Sequence, residues 1–218
     1  MVEIKELLDL DKTIAKELFD GKTYPWEVLD GIKDFILKLG PTLDANEFDN
    51  PSEGVWVAKD AKVFPSAYLG APCIIDHGAE IRHCAFIRGS AIVGKNAVVG
   101  NSVELKNVVL FDNVQTPHYN YVGDSVLGYK AHMGAGAVTS NVKGDKKNVV
   151  VHGERDYETG RKKFGAMLGD FAEIGCNSVL NPGTIIGRDS QVYPLSSVRG
   201  VVKARHIVKG ARGAFAKD

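Results

Sequence analysis

Hydrophobic residues return every six positions along the middle of this chain. From Val57 the series runs Val57, Val63, Leu69, Ile75, Ile81, Ile87, Val93, Val99, Leu105, Phe111, all aliphatic or aromatic. Only 44% of the chain is apolar, so an unbroken series in one phase is a real periodicity. Four residues after each come Ala61, Ala67, Cys73, Ala79, Ala85, Ala91, Ala97, Val103 and Val109, small or β-branched, and then Gln115. A second train runs Leu168, Ile174, Leu180, Ile186, Val192, Val198, with single beats at Leu127 and Met133 between the two.

Six is not a helix period, because 3.6 residues per turn would carry such positions around the cylinder. A plain strand would not restrict the fourth offset to small side chains. The pattern predicts a hexapeptide solenoid, in which each hexad forms a short strand and a corner and three hexads close a triangular coil. The large aliphatic fills the interior, and coils stack by parallel pairing at about 4.8 Å. The expected class is therefore all-β, a parallel β-helix over residues 49–218, with an α-helical appendage over residues 1–48. In that appendage Ile4, Leu7, Leu8, Ile14, Leu18 and Phe19 recur at roughly helical spacing, and a second helical stretch runs from Trp26 to Leu39, ended by Gly40 and Pro41. Its apolar face must pack on the solenoid end, on its side or on another subunit. Capping of the exposed sheet edge is the expected role, and docking on a separate enzyme is the alternative.

The first train breaks at FDNVQTPHYNYVGD, residues 111–124. This stretch predicts a loop over 112–121 thrown out of the coil, with His118 between Pro117 and the tyrosines Tyr119 and Tyr121. Loops on rigid scaffolds are where function concentrates. A second interruption, residues 148–167, reads as a charged hairpin or flap over the cofactor or a neighbour.

Composition narrows the rest. Lysine plus arginine number 27, as do aspartate plus glutamate, so no basic field points to nucleic acid. No run is long enough to span a membrane, and the start MVEIKELLDLDK lacks the apolar core of a secretory signal, so a cytoplasmic address is expected. Cys73, Cys84 and Cys176 are odd in number and lack a CxxC spacing, which disfavours a disulfide framework or zinc knuckle.

VELK at 103–106, HYNYVGD at 118–124, LGYKAHMGAGAVTSN at 127–141 and Lys147 resemble, in that order, the acetyltransferase domain of bifunctional UDP-N-acetylglucosamine pyrophosphorylase/glucosamine-1-phosphate acetyltransferases. TGRKKFGAMLGD with NPGTIIG is similar to archaeal sugar-1-phosphate nucleotidylyltransferases that carry the same second domain. The resemblance covers about residues 55–204. It implies a left-handed β-helix, a homotrimer with sites between subunits, acetyl-CoA as acyl donor, and acetylation of an amino-sugar 1-phosphate in UDP-N-acetylglucosamine biosynthesis. Residue by residue it implies His118 as general base, Tyr121 and Asn141 lining the sugar site, Lys147 assisting, Arg88 and Lys106 as phosphate cations, and Ala135 and Cys176 near the thioester. The chemistry asks for this set. An ammonium must lose a proton before its nitrogen attacks, and imidazole is the side chain suited to take it at neutral pH. A phosphate needs fixed cations. An oxyanion needs a preorganised donor, expected from the backbone of Gly134-Ala135-Gly136.

The sequence departs from that pattern in three places. His132 stands where the bacterial family has asparagine, Cys176 where it has serine, and residues 1–50 hold no glycine-rich nucleotide-binding segment, so nucleotidyl transfer is not expected. Plainer readings stand beside the functional ones. Arg88 and Lys106 each follow an inward aliphatic, as exposed face residues do, and Tyr121 and Asn141 can simply brace the loop. A non-catalytic relative that binds a sugar phosphate or nucleotide sugar and docks on a separate nucleotidyltransferase is the rival class. A metal-dependent hydratase would need converging histidines, which His77 and His83, a hexad apart, do not supply. His132 meeting His118 would be its one support, and no tightly bound metal is expected.

Overall fold

A computed structural model describes residues 2–210 and 214–216; the expected domain limit at 218 lies outside the described residues. The chain forms a three-sided parallel β-helix. One column of in-register residues defines each face. The first face carries Trp56, Ile74, Ile92, Val109, Val126, Met167, Ile185 and Val201 on successive coils. The second carries Lys62, Glu80, Val98, Gln115, His132, Glu173, Gln191 and Ile207. The third carries Tyr68, Phe86, Glu104, Tyr121, Val138, Val179 and Ser197. The residues of the six-residue trains from Ile75 to Leu105 and from Leu168 to Val198 are buried, as a solenoid interior requires.

Corners explain the period. Gly78, Cys84, Ser90, Asn96, Ser102, Asn107, Asn113, Tyr119, Asp124, Lys130 and Gly136 all have positive φ. From Gly78 on these corners carry a left-handed residue, a conformation that costs an ordinary L-residue roughly 1–2 kcal/mol and that Gly, Asn and Asp adopt most readily. The interval is six residues except from Ser102 to Asn107 and from Tyr119 to Asp124, where it is five. Ile75 therefore lies against Val93, eighteen residues on, whereas Leu110 lies against Leu127, seventeen on. At the two short corners the strands Glu104–Leu110 and Tyr121–Leu127 run unbroken from the third face to the first.

This corrects the reading of residues 112–121 as a loop outside the coil. Gln115–His118 is a strand paired on both sides, to Val98–Asn101 and His132–Met133. The train loses its phase because one residue is missing from each of two corners. Leu110, Thr116 and Val122 take the interior positions. Phe111 is buried elsewhere, at a corner, edge-on to Phe19 with ring centres 5.8 Å apart.

The N-terminal segment is also placed differently from expectation. It does not cap an end but lies along the first face, with the helix Ile32–Leu39 against strands Ala91–Val93 and Glu104–Leu110. The outward residues Ile74, Ile92, Val109, Val126, Met167 and Ile185 are all buried beneath this cover. Only a short helix, Ile4–Leu7, precedes it, and the rest of the segment is single 3₁₀ turns at Leu10–Lys12, Lys16–Phe19, Pro25–Val28 and Gly40–Thr42. Asp9 Oδ1 accepts from Asp11 N and caps the start of the turn Leu10–Lys12, and Thr13 Oγ1 accepts from Ala15 N just after it. The first coil's edge is closed by Phe48–Ser52, antiparallel to Val55–Ala58, and the last by Ala214–Ala216 on His206–Val208. No helix among the described residues is long and apolar enough to cross a membrane.

The covered face makes a direct prediction. Ile92→Ala removes a fully buried outward side chain and is expected to cost about 2–5 kcal/mol in urea unfolding. Leu37→Ala, in the helix Ile32–Leu39 and 44% exposed, should cost less than about 1 kcal/mol.

Candidate active site

The sequence-predicted residues fall into two groups at the two margins of the third face. At the margin shared with the second face, His118, Ala135 and Cys176 stand in one row. His118 is in register with Asn101, its carbonyl accepts from Gly136 N at 3.0 Å, and Asn177 N donates to the Ala135 carbonyl at 2.8 Å. His118 and Cys176 are exposed. Asn120, one step round the corner, is buried and sets the turn: its amide donates to the carbonyls of Gly134 and Ala137 at 2.8 and 3.0 Å, and its oxygen accepts from His118 N at 3.3 Å. Between them Tyr119 takes the left-handed conformation, 64% exposed. A bulky residue there is held by its surroundings rather than by preference.

Of the three backbone donors expected at Gly134-Ala135-Gly136, two are engaged. Gly134 N donates to Ile174 O and Gly136 N to His118 O, which leaves the N–H of Ala135. Gly134 has no room for a side chain, since a Cβ would lie 2.7 Å from Cys176 N and 3.1 Å from its Sγ.

The opposite margin, shared with the first face, carries the charges. Asp124 sits at the second short corner, nearly fully buried. It accepts from Lys106 Nζ at 2.8 Å, Asn107 Nδ2 at 2.9 Å and Asn141 Nδ2 at 2.5 Å. Asn141 Nδ2 also lies 3.2 Å from the Tyr121 hydroxyl. The missing residue causes this gathering: it lets Glu104–Leu110 and Tyr121–Leu127 pair without a break, so Lys106 lies beside Gly123 and reaches Asp124. Arg88 is on the same margin, bonded through Nη1 to Glu104 Oε1 at 2.8 Å. Burial first, then the carboxylates of Asp124 and Glu104, push the Tyr121 phenol up, so it stays a protonated donor at neutral pH.

Tyr121, Asn141 and Lys106 are thus brought together, with Arg88 close by, whereas His118 stands across the face from them. Lys147 is not brought to either group. It is exposed, in the turn before the inserted segment, where its backbone N–H donates to Asp145. The insertion folds as a hairpin, Val150–His152 with Asp156–Glu158, and returns through Arg161-Lys162-Lys163. Lys162 and Lys163 line a cleft of about 480 Å³ with Lys106, Asp124, Leu29 and Asp30. Sequence reasoning did not single out Lys162 or Lys163, nor Asp124, Asn107 or Asn120. The recurring Asn, Asp, Ser and Gly at corner positions was the available signal for Asp124 and Asn107.

His132 Nδ1 lies 2.7 Å from Glu173 Oε2, so it does not meet His118. Among the described residues no three His, Cys, Asp or Glu side chains converge as a metal site would need. A larger cleft, about 1010 Å³, lies between the N-terminal segment and Tyr129, Asp170 and Arg188. It lies away from both margins of the third face.

The family described as GMPPB C-terminal domain matches residues 69–155. A bifunctional sugar-1-phosphate nucleotidylyltransferase/acetyltransferase of Sulfurisphaera tokodaii is 38% identical over 88 residues, 39% of this chain and 22% of that protein. The bifunctional protein GlmU of Methanococcus maripaludis is 33% identical over 84 residues, 38% of this chain and 20% of that one. The chain spans about a fifth of the length of these curated relatives. Among solved structures, the acetyltransferase domain of PglB from Neisseria gonorrhoeae aligns over 90% of this chain and 80% of its own, at 14% identity and a TM-score of 0.37. A mutant GDP-perosamine N-acetyltransferase from Caulobacter crescentus, solved with CoA and GDP-perosamine, aligns over 72% and 53%, at 17% identity and a TM-score of 0.33. The sequence matches bear out the resemblance to a hexapeptide-repeat acetyltransferase domain.

Asp124→Asn should unfold at lower urea, by about 2–3 kcal/mol, because an Asn can satisfy Lys106 and Asn107 only by turning its amide donor against the donor of Asn141. Measured denaturation curves for the two proteins check this.

Proposed function

We propose that this chain is a sugar N-acetyltransferase, taking an acetyl group from acetyl-CoA and placing it on the amine of an amino-sugar 1-phosphate. The observation that carries the reading is the division of the third face: a histidine row at one margin and a cation cluster at the other, with the Tyr121 phenol between. A sugar phosphate has the same polarity, anion at one end and amine at the other. The names of the sequence relatives, sugar-1-phosphate nucleotidylyltransferase/acetyltransferase and GlmU, point to the same substrate class, and the left-handed winding implied by the resemblance goes with it.

Each residue has a part in this reaction. Lys106, Arg88, Lys162 and Lys163 bind the phosphate, as clustered cations do. Tyr121 and Asn141 orient the ring. His118, exposed and free to face a substrate, removes a proton from the ammonium. The acyl donor supplies a thioester whose carbonyl carbon takes the new C–N bond as the C–S bond breaks. The row fits it: the Ala135 N–H is a spare donor for the carbonyl oxygen, and Gly134 leaves the approach over Cys176 clear. His118 then passes its proton to the departing thiolate, and the second proton that the nitrogen loses as the amide forms goes to solvent.

We further propose a homotrimer. The third face supports it, with Tyr68, Phe86 and Val179 exposed on one column and Tyr68 and Phe86 edge-on at 5.6 Å. A neighbour packed there would close the cleft between subunits. The rival docking role for the N-terminal helices loses its basis, because Trp26, Leu29, Ile32 and Ile36 are buried against this chain's own solenoid.

The test is thiol release from acetyl-CoA with glucosamine 1-phosphate and galactosamine 1-phosphate. Wild type is expected to release thiol with one of them. His118→Ala should keep the fold by circular dichroism and lose about 10²–10⁴ of the rate. Equal rates in the two proteins would remove His118 from the mechanism, and no release from folded wild type would overturn the reading.

A further inference from the structure

We infer that Asp30, in the N-terminal segment, is a positioning residue for the substrate cleft, acting by clamping the basic run Arg161-Lys162-Lys163 against the coil. The inference deepens the function proposed above and rests on it.

The cleft at Lys106 and Asp124 has one wall made by the solenoid and another made by two segments that the hexad pattern does not contain. Leu29 and Asp30 come from the N-terminal segment, and Lys162 and Lys163 from the end of the insertion. The two segments meet in a fork. Arg161 Nη1 and Nη2 donate to the two oxygens of Asp30 at 2.5 and 2.6 Å, across 131 residues of sequence. The Arg161 side chain is only 14% exposed, whereas Asp30 is 85% exposed. A planar two-bond pair of this kind fixes direction as well as distance, so it sets the path of the next two residues.

Around it the contacts agree. Tyr157 of the hairpin lies edge-on to Tyr24 at 5.5 Å, and Phe164 lies against Trp26 at 5.7 Å. On the solenoid side Phe164 N donates to the carbonyl of Asn141 and Gly165 N to that of Asp124, at 3.0 and 2.8 Å. Lys162 and Lys163 thus sit between two anchored points, one at Asp30 and one at the residues that hold Lys106. Among the described residues no carboxylate is paired with Lys162 or Lys163, so both ammonium groups are available to an anion. Loss of Asp30 leaves the largely buried Arg161 guanidinium without its carboxylate, which lowers stability, so the clamp is read from substrate binding and local amide exchange in variants that remain folded.

The experiment compares wild type, Asp30→Asn, Arg161→Gln and the exchanged pair Asp30→Arg with Arg161→Asp. Each is measured for kcat, for KM of each substrate, and for hydrogen exchange at the Arg161 and Phe164 amides. The expected result for each single variant is a KM for the sugar phosphate raised about 5–20-fold, with kcat and the acetyl-CoA KM within twofold. Exchange at the two amides should be about tenfold faster, and the exchanged pair should recover both readouts. An unchanged or lower KM in Asp30→Asn would overturn the clamp, as would unaltered amide exchange or an exchanged pair as defective as the singles. Exchange is read without turnover. A wild type inactive on every amino-sugar phosphate would sink the proposed reaction, whereas unaltered exchange would sink the clamp itself.

Discussion

Closure of each coil is the constraint on which the rest of this protein depends. A three-sided coil can stack only if every inward residue of one turn lies over an inward residue of the turn before, because parallel pairing locks neighbours in register and a slip of one would turn the interior outward. Three corners must be made in each turn, and from Gly78 on left-handed residues make most of them. Where the corner step shortens from six to five, at Asn107 and Asp124, the coil stays closed by running one strand straight through onto the next face. The shortening is also where the polar site gathers: Asn107 and Asp124 are the short-corner residues themselves, and Lys106 and Asn141 bond to Asp124.

The solenoid then decides what each face can do. The first face presents an apolar column outward and is sealed by the N-terminal segment, so its residues serve stability. The second is polar and open, with His132 and Glu173 paired across coils. The third keeps an exposed aromatic column and has chemistry at both margins. Because the coil's columns are in register, His118 and Lys106 stand at opposite margins of that face. The inserted hairpin and the N-terminal segment, neither of them hexad sequence, complete the cation wall.

Periodicity made the solenoid legible because inward positions of a stacked coil have a single environment and hence a narrow choice of side chain. It did not bring His118, Ala135 and Cys176 together: the family resemblance named them, and their common row appears only once Gln115–His118 is seen as a strand of the coil. The phase slip misled. A reader of aliphatic residues alone meets Phe111 in place and then silence, which suggests a loop. The corner residues Asn107, Asn113 and Asp124 kept the count, but their signal is conformational, and a left-handed Tyr119 or Lys130 does not announce itself.

What the amino-acid sequence by itself determined is therefore the repeat and the solenoid. Each of these follows from short-range rules of strand, corner and stacking. What only the tertiary structure decided is which non-repeat residues join the coil. The burial of the N-terminal segment on a side rather than an end, the placing of Lys162 and Lys163 in the cleft beside Lys106, and the Asp30–Arg161 fork all link positions far apart in the chain. Such contacts depend on where a segment's apolar face finds the largest matching surface, here the column from Ile74 to Ile185. No local pattern encodes that match, because both partners must be folded before it exists.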